Sequence, residues 1–342
     1  MQKRNFVSIF VMALAITLAS RDAAHADAVS DFYKGRTIYT LVGLGPGGGA
    51  DLNMRLVARH IGRFIPGQPN VVPQNMVGAA GMTMANYVSK VAPKDGSVIA
   101  LFQNSLPGRQ AVGLRGVQYD VTKLQWLGSA APGAVEILVV SKQENVSSIE
   151  ELRQREIAVG SNGSGGISSS YPRLLNDFVG TKLKIVEGYT GSASVDLAIE
   201  RGEVSGRNYT FSGMQTNRPD WLKSGAVKVL VYAGDRPAGM PENVPTLSSF
   251  LHGTTEKAVA NVVLAGSQLG FPFAVHQEVP KDRVAALRSA FAQMVHDPEF
   301  LRDAERSRME PGFITPEKIT AIIDALFAQD PEDLQKAKHY FQ

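Results

Sequence analysis

Short apolar runs alternate along this chain with longer segments whose apolar positions recur every three to four residues. Residues 38–42 form the first such run. It empties into Gly43-Leu44-Gly45-Pro46-Gly47-Gly48-Gly49, and an amphipathic helix is expected over 50–64. A short strand at 70–74, a small-residue turn Gly78-Ala79-Ala80-Gly81 and a helix at 82–91 follow. Buried strands are expected at 97–103 and 136–140, and a capped helix at 147–153, where a serine is followed three residues later by a glutamate. The opening pattern then returns roughly 115 residues on. A strand at 156–160 leads to the turn Ser161–Gly166 and a helix at 167–179. A strand at 182–187 leads to Tyr189-Thr190-Gly191 and a helix at 194–201. A further strand is expected at 227–233, an irregular link around Pro237, Pro241 and Pro245, and a mainly helical tail over 281–341. Strand and helix periods in alternation indicate an α/β protein, and the twofold recurrence indicates two similar halves.

A glycine turn between a strand and a helix presents backbone N–H groups beside a helix N-terminus, which favours anions, and glycine lets a ligand approach the main chain. Gly43 to Gly48 also matches G-x-G-x-x-G, a dinucleotide fingerprint. Two features argue against that use. The next strand closes as Pro73-Gln74-Asn75 without an acidic residue, and Pro46 removes a donor from the turn. No Gly-Lys-Ser/Thr, Gly-x-Ser-x-Gly, Ser-x-x-Lys or His-Glu-x-x-His is present. Beyond the N-terminal segment the histidines are His60, His252, His276, His296 and His339, scattered without ligand spacing. No catalytic residue, metal or cofactor is therefore expected. Asp51 reads first as a carboxylate serving the first helical turn and second as a partner for a cationic ligand group. Asn162 and Ser164 are small polar donors in a glycine turn. Arg207 reads equally as a carboxylate partner and as a surface arginine.

The N-terminus changes the setting. Lys3 and Arg4 precede an apolar stretch over 6–19, and Ala24-His25-Ala26 has the small-x-small form of a cleavage site. That stretch is shorter than the roughly 20 residues a membrane span requires. A signal peptide over 1–26 and a soluble exported chain are expected. Without Lys3, Arg4, Arg21 and Asp22 the net charge falls from +3 to about +1, which is not a nucleic-acid-binding balance. With no cysteine, disulfides and thiol chemistry are excluded.

The turns carry a family resemblance. Gly45-Pro46-Gly47-Gly48-Gly49 with Asp51, Arg55-Leu56-Val57-Ala58-Arg59, and Asn75 before Gly78-Ala79-Ala80-Gly81 resemble the solute receptors of tripartite tricarboxylate transporters, the Bug proteins. So do Ala92-Pro93-Lys94-Asp95-Gly96, Val159 to Gly165, Gly188-Tyr189-Thr190-Gly191, Arg201-Gly202-Glu203-Val204 and Val244-Pro245-Thr246-Leu247. The resemblance runs over nearly all of the chain after the signal segment. It implies a type II periplasmic binding fold, with two α/β lobes around a ligand cleft. Lobe 1 would be 27–125 with 246–342, and lobe 2 would be 126–245. Carried over by position, ligand contacts would come from Leu44, Pro46, Gly47, Gly48, Gly49, Ala50 and Asp51, and from Gly78, Ala79, Ala80 and Gly81. The second half would supply Asn162, Gly163, Ser164, Gly165, Tyr189, Thr190 and Gly191, with Arg207 as the side-chain candidate. The implied function is non-enzymatic: a monomeric periplasmic receptor that passes a mono- or dicarboxylate to a two-component permease. A sensor of the same fold, or an enzyme on this scaffold, are the alternatives. Two departures stand out. Leu44 replaces a frequent aromatic residue. Ser205 replaces a usually acidic one, which implies plain carboxylates rather than amino acids as ligands.

Overall fold

The computed structural model describes residues 28–342 apart from Ser164 and Thr190. The expected signal peptide and those two candidate contacts lie outside the described residues. Two five-stranded sheets make up the fold. The first is built from β1 (Thr37–Val42), β2 (Asn70–Asn75), β3 (Val98–Leu101), β4 (Gln125–Ser129) and β10 (Pro272–Val275). The second contains β5 (Glu136–Ser141), β6 (Ile157–Gly160), β7 (Leu183–Val186), β8 (Gly206–Thr210) and β9 (Val227–Ala233).

The sheet orders are β2-β1-β3-β10-β4 and β7-β6-β8-β5-β9. In each, three neighbouring strands are parallel, and the fourth position runs antiparallel to both its neighbours. The antiparallel strand is the one the chain forms on arriving from the other sheet: β5 after β4, and β10 after β9. The two halves therefore share one topology, and two crossings join them, at 130–135 and between 234 and 271. The central strands β3 and β10 are the most deeply buried of the first sheet, while the edge strand β2 is partly exposed. Val98–Leu101 and Pro272–Val275 have no exposed position.

Two expectations change here. The boundary at 125/126 cuts β4, which pairs with β10 in the first sheet, so the chain leaves that lobe after Ser129. The C-terminal tail, expected in lobe 1, straddles both. Ser170 Oγ, in the second lobe, donates to Tyr340 O at 2.6 Å, and Tyr340 OH donates to Asp177 Oδ2 at 2.7 Å. A Cβ added to Gly108 of the first lobe would meet the Phe341 ring at 2.6 Å. One apolar cluster accordingly runs from Leu41 and Phe102 through Leu138 and Tyr171 to Tyr340 and Phe341.

Local signals explain the helix starts. Ser148 caps Ile149–Gln154 by accepting from Glu151 N, while Ser147 N donates to Glu151 Oε2. Among the described residues no helix is long and apolar enough to cross a membrane.

Candidate ligand cleft

Strands β1, β2, β6 and β7 end at turns that each open a helix: Gly49–Ile61, Met82–Lys90, Ile167–Leu174 and Ser192–Glu200. In open parallel sheets the crevice beyond the strand carboxyl ends, where strand order reverses, is the ligand site. A cleft of about 410 Å³ lies there between the lobes. The first lobe contributes Gly49, Asn53 and Asn104. The crossings contribute Ala131, Pro132, Ala134, Ser267 and Phe271. The second lobe contributes Glu136, Asn162, Ile167, Ser168, Ser192, Arg207 and Thr210. Thus three helices bring their first residues to this space, each with first-turn N–H groups that lack intrahelical acceptors.

The first glycine turn is held by a buried ionic network. Asp51, only 2% exposed, accepts from Gly47 N at 2.8 Å, from Arg55 Nε at 2.9 Å and from Asn75 Nδ2 at 2.8 Å. Asn75 Nδ2 also donates to Leu44 O, and Arg55 Nη2 donates to Asn75 Oδ1. Burial pushes the Asp51 carboxyl up, but the bonds from Arg55, Gly47 and Asn75 outweigh it and hold the carboxyl below its ordinary value. Asp51 is therefore an organiser of the turn: it accepts from Gly47 N ahead of the helix, and no side chain caps the helix start itself. Leu44 packs on the first-lobe core, and Ala50 is buried beneath the turn. Pro46, Gly47 and Gly48 lie at the surface of the loop. Gly48 is extended, with φ −82° and ψ 166°, and an added Cβ there meets nothing within 4 Å.

The turn at Gly78–Gly81 packs against the first. A Cβ on Gly43 would lie 2.4 Å from Gly81 Cα. Ala79 and Ala80 both have left-handed backbones, with φ 46° and 50°. That conformation is costly for alanine and is kept only where surrounding structure imposes it.

Serines organise the second glycine turn. Ser168 Oγ accepts from Asn162 N, and Ser161 Oγ accepts from Gly163 N, both at 3.2 Å. Ser169 Oγ donates to Gly163 O at 3.1 Å. Ser168 falls inside the helix expected at 167–179, yet it shapes the turn and lines the cleft. Gly165 faces elsewhere. Its φ is +71°, and an added Cβ would sit 2.6 Å from Phe341 O. Tyr189 packs on the second-lobe core, and Gly191 immediately precedes the helix that Ser192 begins.

Arg207 is buried, with its donors already engaged. Nη1 donates to Asp196 Oδ1 at 2.5 Å and to Ser192 O at 2.8 Å. Nη2 donates to Ser192 Oγ, and Nε to Asn208 O. It fixes the start of the helix Ser192–Glu200. Ser205 bonds to Glu144 Oε1 and precedes β8, at the opposite end of that strand from Thr210. Its identity therefore has no direct bearing on the cleft.

Of the candidates named from sequence, Gly49, Asn162 and Arg207 line the cleft itself, and the other described ones build or flank its turns. Glu136, Asn208 and Ser192 were missed. Ser192 had a local signal, directly after Gly191. Glu136 and Asn208 had none, because they meet across 72 residues.

No family model matches the chain. Curated relatives do. A UPF0065 protein from the gbd 5′ region of Cupriavidus necator is 23% identical over 98% of this chain and 97% of its own. Protein BugT of Bordetella pertussis is 27% identical over 66% of this chain and 69% of its own. Among solved structures, the periplasmic binding protein BugD superposes with a TM-score of 0.65 at 18% identity, covering 91% of this chain and all of BugD. MatC of Rhodopseudomonas palustris, solved with bound malate, gives 0.61 at 19% identity over 90% and 99%. An R. palustris protein solved with adipate gives 0.63 at 19% identity over 89% and 97%. Its paired α/β lobes have the architecture of periplasmic binding proteins. By sequence this chain is similar to BugT and the UPF0065 protein, and its fold is that of BugD.

Proposed function

We propose that the protein is a non-enzymatic, exported receptor. It holds a small mono- or dicarboxylate between its lobes and delivers it to a two-component permease of the tripartite tricarboxylate type. The observation that carries this reading is the convergence of three helix N-termini, at Gly49, Ile167 and Ser192, on one inter-lobe cleft. Backbone N–H groups and the positive ends of helix dipoles favour an anion there. Arg207 contributes by holding one helix start, because Asp196 already neutralises it. The ligand's contacts are then mainly those main-chain donors of 44–51, 78–81, 162–165 and 189–191 that Asp51, Ser161 and Ser168 do not already hold. The malate and adipate found with two relatives of the same fold support a carboxylate ligand.

A thermal-shift screen of organic acids tests this. A ligand at a hundred times its Kd adds about 2.7 kcal/mol of stability, which raises Tm by several degrees. A screen in which no carboxylate moves Tm, while cations or sugars do, would refute the reading.

A further inference from the structure

The back wall of the cleft contains an acid. Glu136 is the first residue of β5, directly after the first crossing, and it is 2% exposed. Ser267 Oγ donates to Oε1 at 2.7 Å from the second crossing. Asn208 Nδ2 donates to Oε2 at 2.8 Å from β8. Both partners are neutral, and no cation hydrogen-bonds Glu136 among the described residues. Arg207, whose field reaches Glu136, spends its own donors on Asp196, Ser192 and the Asn208 carbonyl. At the cleft mouth, Arg308 and Glu310 add one charge of each sign. The lining charges, Arg207 and Arg308 against Glu136 and Glu310, therefore cancel before Asp196 is counted.

This is an unusual wall for a site that takes a bare anion. Three helix N-termini attract a carboxylate, while a buried carboxylate two strands away repels a second one. A buried charge without a cationic partner is also costly in itself. Both difficulties disappear if the ligand brings its own cation.

We infer that the ligand is an amino-carboxylate, with its carboxylate at the helix N-termini and its ammonium on Glu136. The inference rests on the carboxylate reading of the same cleft and narrows it. It reverses the preference for plain acids drawn from Ser205, since Ser205 lies at the far end of β8 and the cleft supplies its acid from β5 instead. Burial raises the Glu136 carboxyl from its ordinary value, against the bonds from Ser267 and Asn208 and the field of Arg207. An ammonium placed on it would favour the ionised form.

Matched acids that differ by one ammonium test the assignment: L-aspartate with succinate, L-glutamate with glutarate, and L-leucine with 4-methylpentanoate. Titration calorimetry on the full exported chain at pH 7 should show at least one amino acid binding at least about thirtyfold more tightly than its partner. That ratio is expected for one buried charged hydrogen bond. Glu136→Gln, which keeps the volume and can accept from Asn208 Nδ2 through its amide oxygen while its amide nitrogen donates to Ser267 Oγ, should abolish the preference and leave the des-amino partner's affinity unchanged or improved. The ligand-free variant should melt as a single transition. A des-amino acid binding as tightly as its amino partner in the wild type would overturn the inference and leave the carboxylate reading standing. So would Glu136→Gln with an intact preference. No binding of any of the six acids would overturn both.

Discussion

The two glycine turns occupy equivalent places in equivalent sheets, yet they are held by different chemistry. In the first lobe a buried carboxylate, Asp51, gathers Gly47 N–H, Arg55 and Asn75 around one loop. In the second lobe the hydroxyls of Ser161, Ser168 and Ser169 do the equivalent work with neutral bonds. Among the described residues there, the one buried ion pair, Arg207 with Asp196, sets the next helix rather than the glycine turn. A shared topology thus dictates where an anion-binding turn sits, but not how it is kept in shape. The ionic turn should be stiffer and more sensitive to pH. The serine turn should yield in smaller steps.

Substitutions can break this contrast in order of size. Asp196→Ala should cost most, about 3–5 kcal/mol, because it leaves Arg207 buried without its counter-charge; urea unfolding measures it. Asp51→Ala follows, at about 2–3 kcal/mol, since Gly47 N–H and Asn75 lose an acceptor while the half-exposed Arg55 can turn to water. Its ligand affinity should fall along with its stability. Ser168→Ala should cost about 1–2 kcal/mol, for the two neutral hydrogen bonds to Asn162 N and Ser161 Oγ, and weaken binding only a few-fold. If Ser168→Ala proves as damaging as Asp51→Ala, the two turns are equivalent after all.

Acid sharpens the same comparison. The folded Asp51 carboxyl lies below its ordinary value of 3.8, so its contribution is fully present above that value and is lost as pH falls below it. Glu136 works in the opposite sense. Its carboxyl is raised above 4.5 in the ligand-free fold, so the folded state holds the proton more tightly. Its contribution is present below 4.5 and is lost as pH rises through the folded value. Melting Glu136→Gln and wild type from pH 4 to pH 7 should show the variant gaining relative stability toward neutrality.

Much of this architecture was legible in the sequence. The four strand–turn–helix units could be read because glycine and serine turns interrupt clear apolar periods, and residues 227–233 form β9 as expected. Two strands at the heart of the sheets could not. β8 reads Gly-Arg-Asn-Tyr-Thr, and its buried Arg207 and Asn208 are satisfied only by partners from other segments. β10 is four residues long and follows a glycine and a phenylalanine. Among the candidate contacts, the turns themselves were visible. The missed groups, Glu136 and Asn208, become meaningful only when the crossings bring β5, β8 and Ser267 together. Gly165 shows the reverse error. Its glycine looks like a ligand cradle, but it makes room for the Phe341 carbonyl, so Gly165→Val would test packing of the tail instead of binding.

Recognition through main-chain donors is tested most directly at Gly48. Its backbone is extended, and an added side chain finds open space. Gly48→Val should therefore fold, and the ligand-free variant should melt within a few degrees of wild type, while branched atoms now occupy the approach to the turn's N–H groups. Titration calorimetry with an acid that binds the wild type should show at least about a tenfold loss of affinity, or roughly 1.4 kcal/mol. Wild-type affinity in a correctly folded Gly48→Val would contradict a carboxylate held at that turn.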